Sequence, residues 1–218
     1  MTPAAVHAAA EWLEHASAPE VLRWAGDTFG ARLAVTTSLT DAVLVHLASR
    51  VLPGVTVLFV DTGKHFPETL GTRDAVGATY DVELRTVATD AAVPDRLYET
   101  DPDRCCWLRK VSPLERALRD FDAWVTGLRR DESPQRAHTP VVQWDARRRK
   151  VKVNPLARWS SADVAAYTAE HDVLVNPLVA LGYRSVGCAP CTRPVADGED
   201  ERAGRWAGTA KSECGLHA

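Results

Sequence analysis

Apolar positions in the first half of the chain fall into two recurring patterns. Residues 32–38 (RLAVTTS) read as a strand, and 55–60 (VTVLFV) form a continuous apolar run of the kind buried on both faces of a parallel sheet. Between them, 41–52 (DAVLVHLASRVL) places its apolar residues at helical spacing. A further helix opens at Pro67, a residue suited to a first helical position. Residues 82–88 (VELRTVA) and 122–129 (DAWVTGLR) read as a third and a fourth strand. The first 30 residues read as two short helices. Residues 141–145 and 150–154 read as a hairpin ending the sheet, and 161–170 as a helix capped by Ser160.

Strands alternating with helices predict an α/β protein with a doubly wound, mostly parallel sheet and right-handed crossovers. Ligands of such sheets lie in the crevice beyond the carboxyl ends of the strands. Those ends carry Thr36-Thr37-Ser38, Asp61-Thr62-Gly63 and Arg129-Arg130. Two hydroxyl-rich ends and one doubly cationic end suit a phosphate-bearing ligand.

The remainder of the chain changes this picture in two ways. The stretch after Cys191 has no sustained apolar period and is rich in Gly and charge, so we expect a domain over 1–195 and a mobile tail over 196–218. The chain has 218 residues, 45% hydrophobic and 25% charged, with a net charge of −3, which excludes disorder and argues against a dedicated nucleic-acid module. No apolar run is long enough for a membrane span, and the N-terminus does not read as a secretory signal. Eight Arg or Lys residues lie between 129 and 152; Arg129, Arg130 and Arg136 follow a strand end and suit anions, whereas 147–150 read as a solvated hairpin turn. His65, in a strand-end loop, is placed to contact a nucleotide, whereas His46 reads as packing.

The five cysteines sharpen the chemistry. Their odd number points to a reducing compartment, the cytoplasm, rather than a disulfide framework. Cys105-Cys106 and Cys188-x-x-Cys191 form two close pairs able to supply four thiolates to zinc or to an iron–sulfur cluster. Adjacent residues on a helix point about 100° apart, which is awkward around one small ion and better matched to the separate irons of a cubane. Asp101-Pro102 reads as an N-cap and first-turn proline, so the adjacent pair sits where a helix dipole favours thiolates. Arg109 and Lys110, four residues on, add positive charge on the same faces. Ser112-Pro113-Leu114-Glu115 reads as a capping box that starts a new helix. A zinc knot or buried unliganded thiols are the plainer alternatives. Cys214, four residues before the carboxyl end, suits either a nucleophile that visits a site or an exposed thiol without a role.

Taken together, CCWLRK (105–110), CAPCTRP (188–194), GEDERAGRW (198–206) and ECGLH (213–217) resemble the assimilatory adenylyl-sulfate reductases of the phosphoadenylyl-sulfate reductase family. TTSLTDAV (36–43), VDTGKHFPET (60–69), GLRRDESPQRA (127–137) and KVNPLARWS (152–160) extend the likeness from about residue 36 to 217. The resemblance implies an adenine nucleotide α-hydrolase-like fold and thioredoxin-dependent reduction of adenylyl sulfate to sulfite and AMP through an S-sulfocysteine. It implies a [4Fe–4S] cluster on Cys105, Cys106, Cys188 and Cys191, and Cys214 as nucleophile. Lys110 would neighbour the cluster and face substrate. Arg109, Arg136, Arg202 and Arg205 would bind anionic groups, and Thr36, Ser38, Asp41 and Thr62 would line the nucleotide pocket. Thioredoxin and a second copy of the chain in a homo-oligomer are the expected partners, with no membrane and no nucleic acid. An iron–sulfur ATP pyrophosphatase that thiolates tRNA, a redox- or zinc-sensing module, and reduction of the 3′-phosphorylated substrate are the competing readings.

Overall fold

The computed structural model describes residues 1–89, 92–207, 211, 213, 215 and 216. A six-stranded sheet organises it, with strands β1 (Leu33–Thr37), β2 (Val55–Asp61), β3 (Val82–Ala88), β4 (Ala123–Val125), β5 (Val142–Asp145) and β6 (Lys150–Val153) in the order β3-β2-β1-β4-β6-β5. All neighbours are parallel except the β5–β6 hairpin, which ends the sheet as its sequence predicts. The chain winds outward from β1 through β2 to β3 and then returns to place β4 on the other side of β1. This reversal leaves a crevice at the carboxyl ends of β1 and β4. Of the 122–129 stretch, only Ala123–Val125 forms strand, after which the backbone turns toward this crevice.

Alternation along the strands divides the sheet's two faces. Val35, Val57, Phe59, Val125 and Val153 point to one side and pack with the helices α1 (Pro3–Leu13), α2 (Ala18–Phe29) and α3 (Val43–Val51). Val76 of α4 (Pro67–Thr79) and Tyr167 of α8 (Ser161–His171) join the same core. Ser160 caps α8 by accepting from Asp163 N at 3.1 Å. Ala34, Leu58 and Trp124 point to the other side, where Leu114, Leu118, Phe121 and, from the tail, Leu216 cover them.

The cysteine-bearing helix departs from its sequence reading. After the short helix α5 (Leu97–Thr100), Asp101 does cap α6 (Pro102–Cys106), accepting from Arg104 N at 2.9 Å. No capping box forms at Ser112, however. The backbone passes from α6 through a π turn (Trp107–Val111) directly into α7 (Ser112–Ala117), with every flanking residue in right-handed helical geometry. A proline at the second helical position of α7 is tolerated because the wider π turn absorbs its missing donor. No helix among the described residues is long and apolar enough to cross a membrane.

Candidate active site

Two cavities meet at one wall. The larger, about 220 Å³, fills the crevice at the carboxyl ends of β1, β2 and β4. Thr36, Ser38, Asp41, Thr62, Arg136, Arg202 and Arg205, all expected from the sequence, line it. The smaller is lined by Cys105, Cys106, Cys188 and Cys191 together with Lys64 and Arg109. Lys110 and Trp206 border both.

The loop after β1 is braced rather than open. Thr36 Oγ1 donates to Val125 O at 2.9 Å, tying β1 to β4 across the switch point, and Thr37 Oγ1 accepts from Leu39 N at 3.3 Å. Asn176 Nδ2 donates to Leu39 O at 3.1 Å and to Thr69 Oγ1 at 3.0 Å, which holds Leu39 in a left-handed conformation (φ 59°). Asp41 Oδ1 accepts from Val43 N at 3.0 Å at the start of α3. Burial pushes the Asp41 carboxyl above its ordinary range, against the pull of that bond and of Arg129. Among the described residues Ser38 makes no hydrogen bond to the chain, so its hydroxyl faces the crevice uncommitted.

The turn after β2 links the cavities. Gly63 takes a left-handed φ of 65°, and Arg109 Nη1 lies only 3.4 Å from where a Cβ would stand. Arg109 Nη1 donates to Thr62 O at 2.8 Å and its Nη2 to Val93 O at 3.2 Å. Arg109 therefore faces the thiol cavity rather than the crevice in which the sequence reading puts an anion-binding group. His65 lines the crevice; its Nε2 lies 3.0 Å from Val60 O, and its buried Nδ1 has no partner among the described residues. Burial, with Lys110 and Arg73 adding to it, holds the His65 imidazole below its ordinary pKa.

The four thiols belong to no disulfide. Cys188 Sγ donates to Thr62 Oγ1 at 3.3 Å, and Cys191 N donates to Cys188 O at 2.9 Å in the tight turn of the CxxC segment. Burial raises Cys188, but Lys110, the Thr62 hydroxyl and Arg205 outweigh it and leave this thiol below its ordinary pKa. Burial pushes Cys105 and Cys191 up, and the neighbouring thiols add to the rise. No three His, Cys, Asp or Glu side chains among the described residues are gathered around a single-ion position. Four thiols on one cavity beside Lys64, Arg109 and Lys110 nevertheless form a donor set suited to a polythiolate iron–sulfur group, whose net negative charge the cations offset.

Described residues of the carboxyl-terminal segment line the crevice. Thr192 pairs with Arg205, and Trp206 N donates to Cys191 O at 3.0 Å, which seats Trp206 between the cavities with only 4% of its surface exposed. Arg205 stacks on that ring at 4.6 Å and passes so close to Gly187 that an added Cβ would stand 2.4 Å from its Nη2. Glu201 accepts from Ser161 Oγ at 2.6 Å and from Arg129 Nη2 at 3.2 Å. Glu213 lines the crevice and pairs with Arg136 and Arg202. Those arginines hold its carboxyl below the usual range, outweighing the opposite pull of burial. Cys214 lies outside the described residues.

Two participants escape local sequence reasoning. Glu213 meets an arginine 77 positions away. Arg148, expected in solvent, has a side chain only 4% exposed and lies over Trp124 at 5.0 Å, whereas Arg147 is exposed as expected and lies over Trp107 at 5.0 Å. Only the even scatter of tryptophans beside this cationic run could have hinted at such pairing.

Comparison with known proteins agrees with this geometry. Residues 32–194 match the phosphoadenosine phosphosulfate reductase domain. An adenosine 5′-phosphosulfate reductase of Streptomyces coelicolor is 61% identical over 212 residues, covering 94% of this chain and 90% of that protein. One from Mycolicibacterium smegmatis is 52% identical with the same coverage. A crystal structure of phosphoadenylyl-sulfate reductase from Candida auris, a phosphate complex, superposes with a TM-score of 0.76 at 31% identity, covering 87% of this chain and 97% of that one. FMN adenylyltransferase of Candida glabrata, at 14% identity and a TM-score of 0.60 over 81% of this chain and 64% of its own, shares the α/β fold. The chain belongs to the phosphoadenosine phosphosulfate reductase family.

Proposed function

We propose that the chain reduces adenylyl sulfate to sulfite and AMP in sulfate assimilation, with thioredoxin as reductant and Cys214 as the sulfonate acceptor. The observation that carries this reading is the junction of an arginine-lined nucleotide crevice with a four-thiol cavity across Lys110 and Trp206. The fifth cysteine is left to react, and it follows directly on Glu213 of the crevice wall.

The Cys214 thiolate attacks the sulfate sulfur and the sulfur–oxygen bond to AMP breaks, so AMP leaves with the electron pair and Cys214 carries –SO₃⁻. A thioredoxin thiolate then attacks Cys214 Sγ and expels sulfite, forming a mixed disulfide. The second thioredoxin thiol breaks it, which restores Cys214 and leaves thioredoxin oxidised. Thiols supply both electrons. Arg136, Arg202 and Arg205 neutralise the phosphosulfate and the departing phosphate, as electrostatic clamps do. Thr36, Ser38, Asp41 and Thr62 shape the nucleotide end. Cys105, Cys106, Cys188 and Cys191 would hold a [4Fe–4S] cluster, which when bound supplies structural support and a fixed electrostatic field. Lys110 stands between that position and the crevice, and Arg109 braces the thiol cavity. Residues 196–213 act as a lid in this reading. It also places the protein in the reducing cytoplasm as a homo-oligomer, which light scattering checks.

The deciding measurement is intact mass after mixing with adenylyl sulfate and no reductant. The expected gain is one SO₃ unit (about 80 Da), removed by thioredoxin and absent in Cys214→Ser. An unchanged mass in the parent chain rejects the covalent route. Repeating the measurement with the 3′-phosphorylated compound ranks the two substrates.

A further inference from the structure

Glu213 immediately precedes Cys214 in the chain, and its carboxylate is fully engaged. Oε1 accepts from Arg136 Nε at 2.7 Å, while Oε2 accepts from Arg136 Nη2 at 2.9 Å and from Arg202 Nη2 at 3.1 Å. The contact with Arg136 is a two-point fork, the most directional form an ion pair takes. Both guanidinium side chains are only 11% exposed and the Glu213 side chain 25%, so solvent screening is slight. Arg136 is itself set in place by Glu132, 2.5 Å from its Nη1. On the other side of Cys214 in sequence, Arg147 Nη1 donates to Gly215 O at 3.3 Å and Leu216 packs against the Leu114, Leu118 and Trp124 cluster. The backbone is thus anchored at three of the four positions from 213 to 216.

We propose that Glu213 is a positioning residue: docked on Arg136 and Arg202, it sets the reach of the following residue over the crevice. The inference rests on Cys214 being the sulfonate acceptor. Attack needs the reacting atoms about 3–3.5 Å apart and aligned, and a displacement of about 1 Å costs on the order of 10²-fold in rate. A cysteine on an untethered tail rarely meets that requirement. The forked ion pair of Glu213 limits where the next residue can stand. The two arginines then have a double duty. In the proposed reaction the phosphosulfate draws on the same guanidinium groups that hold Glu213. Tail closure and substrate binding consequently share the same two cations.

The test compares the full chain with Glu213→Gln and Glu213→Asp, measuring two quantities. One is the single-turnover rate of the SO₃ mass gain at saturating adenylyl sulfate, and the other is the dissociation constant of AMP. Glutamine keeps the shape and removes the charge; aspartate keeps the charge and shortens the reach. The expected result is a loss of about 10²-fold in transfer rate for Glu213→Gln and a smaller loss for Glu213→Asp, with AMP affinity within about threefold of the parent. Transfer at the parent rate in Glu213→Gln overturns the proposal, as does AMP binding more than about tenfold tighter with unslowed transfer, which would make Glu213 a mere competitor for the anion site. Parallel loss of AMP binding assigns the residue to the fold and overturns it too. A parent chain that never gains mass overturns the Cys214 reading itself, and this inference with it.

Discussion

The two faces of the sheet are built differently. One is covered by five helices, whose buried Leu13, Leu22 and Val45 pack with Val35 of the sheet into a continuous core. The other, which presents Trp124, is covered by a small cluster around Leu114 and Leu118, to which the tail contributes Leu216. Stability is concentrated on the first face. The second face carries cations as well: Arg148 and Lys152 lie over the Trp124 ring at 5.0 and 5.1 Å. Burial lowers Lys152 to a pKa of about 8, so this face sets a partly desolvated amine against its aromatic ring.

Substitutions on the two faces should separate accordingly. Leu22→Ala, in the helical face far from the crevice, should cost about 2–5 kcal/mol in denaturant unfolding while leaving turnover per folded molecule unchanged. Lost turnover at full folding would mean that this face also serves the site. Leu216→Ala should do the reverse, changing stability by less than about 1 kcal/mol while slowing sulfonate transfer by about tenfold, because it loosens the seat of the reacting segment. Equal stability losses from both would erase the distinction.

The smallest effect concerns pH. Burial holds His65 and His46 below their ordinary pKa, with His171 and Arg50 adding to the effect on His46. The unfolded chain therefore binds more protons than the folded one as pH falls below about 6.5, so stability declines through that window and is fully present above it. Urea midpoints between pH 7.5 and 5.5 should show the decline, and a His46→Gln, His65→Gln double variant should flatten it. An unchanged slope would assign the decline to other groups.

The parallel strands were legible because strands buried on both faces carry an unbroken apolar signal, as 55–60 does. The thiol pairs were legible because cysteine spacing survives without knowledge of the fold. What stayed hidden depends on distant partners. Nothing near Arg148 announces Trp124, and nothing near Glu213 announces Arg136. Ser112 misled for a different reason: its local pattern satisfies a helix start, yet the preceding turn is already helical and the cap has no free end to serve. Arg109 likewise has the right charge for the crevice, but its guanidinium is drawn to the carbonyls of Thr62 and Val93.

Because α6, the π turn and α7 run without interruption, the cysteine pair and Leu114 are mounted on one shaft. Eight residues separate Cys106 from Leu114, or about 12 Å at helical rise. A tilt at the sulfur end is thereby carried to the bed on which Leu216 rests, and the two ends of the rod cannot be tuned independently.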